Sequence, residues 1–157
     1  MNASISSDAP VSNVHGDFTR PVRIRFSHCD PAGIVFFPQY LVLFNQLVED
    51  WFTEGLGISY AAMIGERKLG LPIVRLESDF RRISRMGDEV LLCLKVERVG
   101  GKSLTLQLQC RDAEHVRVEA RKVLVFTDLR SHQAIPMPPD IRAVIDASLT
   151  ASQGPVS

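Results

Sequence analysis

Cysteine is scarce in this chain: three in 157 residues, Cys29, Cys93 and Cys110, an odd number with no C-x-x-C pair. That excludes a disulfide framework and a paired thiolate metal site, and it points to a reduced, cytoplasmic protein. Net charge is absent as well, because 18 Lys and Arg offset 18 Asp and Glu. The bulk electrostatic attraction on which nucleic-acid binding relies is therefore missing. No apolar run approaches the roughly 20 residues of a membrane-spanning helix, so no membrane partner is expected. The first 18 residues, MNASISSDAPVSNVHGDF, have neither the basic start nor the apolar block of a signal peptide. There is no internal repeat and no interior linker between Arg20 and Ala147.

What is present is an ordinary globular composition. Apolar residues make up 45% and charged residues 23%, enough to build one core without metal or disulfide staples. The polar, aromatic-poor ends read as flexible tails over 1–18 and 149–157, leaving one domain over 19–148.

Val22, Ile24 and Phe26 alternate with Arg23, Arg25 and Ser27, which predicts a half-buried strand. HCDPAGIVFFP follows, with Pro31, Gly33 and Pro38 as breakers. Beyond Pro38 the period changes: Tyr40, Phe44, Leu47, Val48, Trp51 and Phe52 fall on one helical arc, opposite Asn45, Gln46, Glu49 and Asp50. Pro38 suits the first helical turn, and Gly55 and Gly57 mark the stop. Such a helix is about 17 residues, or roughly 25 Å, long. After a short helical piece at Tyr60–Glu66 the chain is mainly strand: Ile73–Phe80, Glu89–Val99, Lys102–Cys110 and a fourth from Val116 to Phe126, with Gly100-Gly101 forming a hairpin. Pro138-Pro139-Asp140 opens a terminal helix through Ile145. One strand, one long apolar helix and a run of antiparallel strands make an α+β layout, with the sheet expected to curl around the helix as in the hot-dog fold.

The stretch Phe26-Ser-His-Cys-Asp-Pro-Ala-Gly-Ile-Val-Phe-Phe-Pro-Gln-Tyr40 resembles the active-site segment of the 4-hydroxybenzoyl-CoA thioesterase family, which includes the YbgC-like acyl-CoA thioesterases. The family pattern, roughly D-x-D-x-x-G-x-V-x-x-x-x-Y, is matched by Asp30, Gly33, Val35 and Tyr40, and CDPAGIV is close to the 4-hydroxybenzoyl type. Gly87-Asp88-Glu89-Val90 and Lys102-Ser103 resemble further family elements, and the likeness spans about residues 20–145. Two positions depart: the first Asp of the pattern is His28 here, and the usual Asn before the Tyr is Gln39.

The resemblance implies an enzyme that hydrolyses the thioester of an aromatic, 4-hydroxybenzoyl-like or short-to-medium acyl-CoA, with Asp30 as the catalytic carboxylate. An Asp ionised at neutral pH can attack the carbonyl or remove a proton from water. An Asp before Pro is also a common loop cap. The helix N-terminus supplies amide donors and positive dipole for an oxyanion. Pro38 has no N–H, so the resemblance assigns the donor to the Phe37 backbone. Gly33 is expected to let the backbone approach the thioester closely. His28 and Tyr40 are candidate substrate contacts, and Cys29 is read as a structural thiol facing away from both neighbours. Glu49, on the polar arc, is the reserve catalytic carboxylate. Arg81, Arg82, Arg85, Lys102 and Ser103 are candidates to hold the phosphates of coenzyme A. No metal and no separate cofactor is expected, since coenzyme A is part of the substrate. Open strand edges and the habit of hot-dog thioesterases predict a homodimer or homotetramer. The competing functions are a hot-dog hydratase or dehydratase and a non-catalytic acyl-thioester scaffold.

Overall fold

The computed structural model describes residues 18–152; positions 1–17 and 153–157, where the flexible tails are expected, lie outside the described residues. Five strands, β1 (Phe18–Arg23), β3 (Ile73–Phe80), β4 (Glu89–Val99), β5 (Ser103–Arg111) and β6 (Val116–Val125), form one antiparallel sheet in the order β1-β4-β5-β6-β3. The period-two pattern sets the register. Val90, Leu92 and Leu94 of β4, Leu104, Leu106, Leu108 and Cys110 of β5, and Val118, Ala120 and Leu124 of β6 all turn inward and are buried.

The long helix α1 (Pro38–Asp50) lies on that inner face and continues through one wide π-turn, Trp51–Gly55, in which the Leu56 amide reaches the Trp51 carbonyl at 2.8 Å. Its two ends meet opposite edges of the sheet. At the start, the Tyr40 and Phe80 rings stand 6.1 Å apart, which ties the first turn to β3. At the end, Arg20 of β1 pairs with Asp50 at 4.0 Å and with Glu54. A Cβ on Gly55 would fall 3.0 Å from Trp51 and 3.1 Å from the Phe18 ring, so glycine lets the helix end close on β1 without those rings giving way. The sheet curls because one rod of side chains must be reached from both of its edges.

Several sequence expectations need correction. The first strand begins at Phe18 and ends at Arg23, and Phe26 lies in a 3₁₀ turn, Phe26–His28, with 81% of its surface exposed. Pairing with β4 stops at Arg23–Glu89, and the Gly87 amide then bonds the Ile24 carbonyl at 2.8 Å, so the chain leaves the sheet before Phe26. The terminal helix α3 (Pro139–Ser152) runs well past Ile145 and past the domain boundary expected at 148. Ile141 and Ile145 are buried, and Leu149, one further step of four, also packs on the core. A small second sheet, β2 (Leu69–Gly70), β7 (Thr127–Asp128) and β8 (Gln133–Ala134), escaped the sequence reading because two-residue strands carry no period. A short helix, α2 (Tyr60–Gly65), starts at Ser59, whose hydroxyl accepts the Ala62 amide at 3.1 Å. No helix among the described residues is long and apolar enough to cross a membrane.

Edge strand β3 is unlike the others. Ile73, Val74, Leu76 and Phe80 all leave large apolar surface in solvent, as do Ile83 and Met86 just beyond it and Phe36 and Phe37 beside α1.

Candidate active site

Residues 28–36 fold back on themselves as a narrow two-stranded loop. The Asp30 amide bonds the Ile34 carbonyl at 3.0 Å, Cys29 bridges Val35, and the Phe36 amide bonds the His28 carbonyl at 3.0 Å. At the tip, the Gly33 amide bonds the Asp30 carbonyl at 2.9 Å, and Asp30 Oδ1 accepts the Ala32 amide at 2.8 Å. Gly33 has φ +76°, the left-handed region, and a Cβ there would meet nothing within 4 Å. That left-handed φ is what makes the turn. The loop is pinned from the side: the Val35 amide bonds the Ser84 carbonyl at 2.9 Å, and the Met86 amide bonds the Gly33 carbonyl at 3.2 Å.

This loop delivers the chain straight into α1. Phe37 is the N-cap and Pro38 the first helical residue. The Gln39 amide is taken by the Phe36 carbonyl at 2.8 Å and the Tyr40 amide by the Phe37 carbonyl at 3.2 Å, while Pro38 has none. Among the described residues, the Phe37 amide alone of this first turn has no acceptor. A rigid carboxylate and a free N–H at the positive end of a helix dipole thus share one short loop.

His28 is held in place: its Nδ1 accepts the Arg25 amide at 2.9 Å, which leaves the proton on Nε2. Burial, with a smaller contribution from the Arg25 charge, lowers its pKa, so the ring is neutral at pH 7. The Cys29 thiol donates to the Arg25 carbonyl at 3.4 Å, a structural role. Tyr40 lies in the core, its hydroxyl buried against Ser84, whose own hydroxyl is buried as well. Burial raises the Tyr40 pKa above the ordinary phenol value. Its ring contact with Phe80 anchors α1 on β3.

Glu49 does not join Asp30. It is exposed on α1, about 16 Å along the axis from Pro38, and its charge acts on Tyr60. The expected phosphate cluster also separates within one chain. Arg85 bridges Ile34 beside the active loop, and Arg81 donates to Glu119 with Nε at 3.1 Å. Ser103 begins β5, with Lys102 just before it, at the far end of β4, about 30 Å away at 3.3 Å per residue.

Sequence reasoning missed one polar pair that holds a buried lysine. Lys122, on the inward parity of β6, donates to Asn45 Oδ1 on α1. The signal was a lysine interrupting the inward series Val118, Ala120, Leu124.

A curled antiparallel sheet around one long helix is the hot-dog architecture. The model of the Thioesterase-like superfamily matches residues 24–145, and the chain belongs to that superfamily. A 1,4-dihydroxy-2-naphthoyl-CoA hydrolase of Nostoc punctiforme is 28% identical over 121 residues, covering 76% of this chain and 81% of the relative. The crystal structure of a 1,4-dihydroxy-2-naphthoyl-CoA thioesterase from Synechocystis superposes with a TM-score of 0.75 at 21% identity, covering 88% of this chain and 99% of that one. A gentisyl-coenzyme A thioesterase superposes with a TM-score of 0.73 at 24% identity, covering 81% and 98% respectively. The two structural matches establish the hot-dog fold, and the family establishes the class of enzyme: a thioesterase.

Proposed function

We propose that this cytoplasmic protein hydrolyses the thioester of a hydroxylated aroyl-CoA, of the 4-hydroxybenzoyl or dihydroxynaphthoyl kind, to the free acid and coenzyme A. The observation that carries the reading is the shared loop: Asp30 on a fixed turn and the unbonded Phe37 amide at the N-terminus of α1. The names of the relatives support an aromatic acyl group bearing hydroxyls. In this reading the thioester oxygen lies at the Phe37 N–H, which stabilises the negative charge that develops on it. Asp30 then acts in one of two ways. It attacks the carbonyl carbon, the C–S bond breaks, the thiolate of coenzyme A leaves, and water opens the resulting anhydride. Alternatively it removes a proton from water as that water attacks. A thiolate needs little protonation to leave, so the neutral His28 is not required as an acid.

The same reading explains the split phosphate cluster. β3 has a free, apolar edge, which favours a second copy as its cover. Antiparallel pairing of β3 with its twofold mate would set Phe80 of one chain beside the partner's Ile73. Ile73 pairs with Leu124, which pairs with Leu104, next to Lys102-Ser103. Lys102 and Ser103 of the partner subunit would then approach Arg85 and the Asp30 loop, completing a coenzyme A site that one chain leaves divided. A free-thiol assay across benzoyl-, hydroxybenzoyl-, dihydroxynaphthoyl- and short aliphatic CoA thioesters tests the function. Fastest release from the hydroxyaroyl thioesters is expected; no release from any of them would overturn it. Label from H₂¹⁸O entering Asp30 under single turnover would establish the anhydride route, with water opening the anhydride at the Asp30 carboxyl carbon.

A further inference from the structure

Lys122 occupies a place where a charge is costly. It is 1% exposed, and its register neighbours are Leu106 on β5 and Leu76 on β3. Among the described residues its hydrogen-bond acceptor is Asn45 Oδ1, and no carboxylate pairs with it. An ammonium has three donors, so one neutral amide leaves it under-satisfied in an apolar layer. Burial pulls its pKa down to about 8, which still leaves it charged at neutral pH. Such a group is retained at a cost in stability, and sites where local rules are broken are where function is expected.

Asn45 supplies the other half. It is exposed, and seven positions beyond Pro38 it lies on the same helix face as that residue, about 10 Å along the axis. An ammonium can only donate, so it takes Oδ1 and turns the Asn45 NH₂ away from itself. An amide that could present either end thereby becomes a fixed donor, backed by a positive charge. Beside the free Phe37 amide, the exposed Phe37 and Phe80 rings meet edge to face at 5.8 Å and form an aromatic wall. The wall suits a flat acyl group better than a phosphate, and a phosphate would find one donor in place of several.

Resting on the thioesterase reading above, we propose that Asn45, held by the positioning residue Lys122, selects the acyl group. It does so by donating to an electron-rich oxygen, phenolic or carboxylate, on the side of the aromatic ring remote from the thioester.

The test is binding of non-hydrolysable thioether analogues by calorimetry, in which a methylene separates the carbonyl from the sulfur of coenzyme A. Three arms carry a phenyl, a 4-hydroxyphenyl or a 4-carboxyphenyl group. The wild-type protein should bind at least one of the substituted analogues about tenfold or more tightly than the phenyl one, as expected for a hydrogen bond with charge behind it. Lys122→Met should bring that ratio to within about twofold of unity. Asn45→Asp, which satisfies Lys122 and presents a carboxylate instead of an amide, should invert the ratio for the 4-carboxy arm. Lys95→Met, on the exposed side of β4, should leave every ratio as it is. No preference in the wild type, or a preference that survives in folded Lys122→Met, would overturn the proposal. Selective binding without thiol release from the matching thioesters would sink the thioesterase reading alone; thiol release without selectivity would sink the selector alone.

Discussion

The Asp30 carboxylate accepts the backbone amide of Ala32 at 2.8 Å, so one of its oxygens is spent on the turn and the other remains for chemistry. The loop-cap and catalytic readings of this residue are therefore compatible, and the cap is what fixes the direction of the second oxygen. Asp30→Asn keeps an oxygen for the Ala32 amide but removes the charge. Its kcat should fall by about 10²–10⁴, with stability changed by no more than about 0.5 kcal/mol. Glu49→Gln, on the exposed face of α1, should cost far less. A steady-state comparison of the two variants decides between the carboxylates, and a reversed order would move the chemistry to the helix.

Gly33 tests the turn itself. Its φ of +76° is strained for any L side chain, whereas the space around a Cβ is open. Gly33→Ala should therefore lose about 1–2 kcal/mol from backbone strain alone, and Gly33→Asn should lose less, since Asn tolerates this region better. Urea unfolding reads both; an equal loss would point to packing instead of backbone.

Lys122 gives a pH-dependent signature. Its pKa is lowered from 10.5 to about 8 by burial. Below about pH 8 the folded and unfolded chains both carry the proton, and the full penalty of the buried charge is present. Between about pH 8 and 10.5 the unfolded chain binds more protons, so native stability rises with pH from this group. Lys122→Met should therefore gain about 1–3 kcal/mol at pH 7, and the gain should shrink toward pH 10. Thermal melts across that range check it, and a pH-independent gain would show that the ammonium was not the cause.

Asp112 behaves in the opposite sense. Burial alone would raise its pKa, but amide hydrogen bonds from Glu114 and His115 and the Arg117 guanidinium outweigh burial and hold it at about 2. Its contribution is present above the unfolded value of 3.8 and is lost as pH falls toward 2. Asp112→Asn should cost about 1–2 kcal/mol at pH 7, with the difference from wild type closing in acid. A constant difference down to pH 2 would assign the loss to geometry and not to charge.

The β3 edge carries the last prediction. Val74, at the bulge of β3, is 61% exposed. Val74→Glu should shift sedimentation from dimer to monomer and abolish thiol release together, because the partner's Lys102 and Ser103 would be lost from the site. A monomer with full activity would show that one chain is enough.

Much of this protein is written locally. β3 and β4 were legible to the residue, and α1 began at Pro38 as expected, because a period of two or of 3.6 needs only a run of neighbours to show itself. The Asp30-Pro31-Ala32-Gly33 turn and the amide-free Pro38 were legible for the same reason: turn chemistry and helix capping are properties of a few adjacent residues. Phe26 was misread because alternation continues for one step after hydrogen bonding has stopped. What only the tertiary structure decided is which local pieces meet. Lys102 and Arg85 look like one basic cluster in sequence, yet the antiparallel register of β4 and β5 sends them to opposite ends of the sheet. Lys122 and Asn45 stand 77 positions apart and meet because β6 lies under the middle of α1. Strand order is a contest among non-local pairings, settled by burial of whole faces, and no stretch of neighbouring residues carries it.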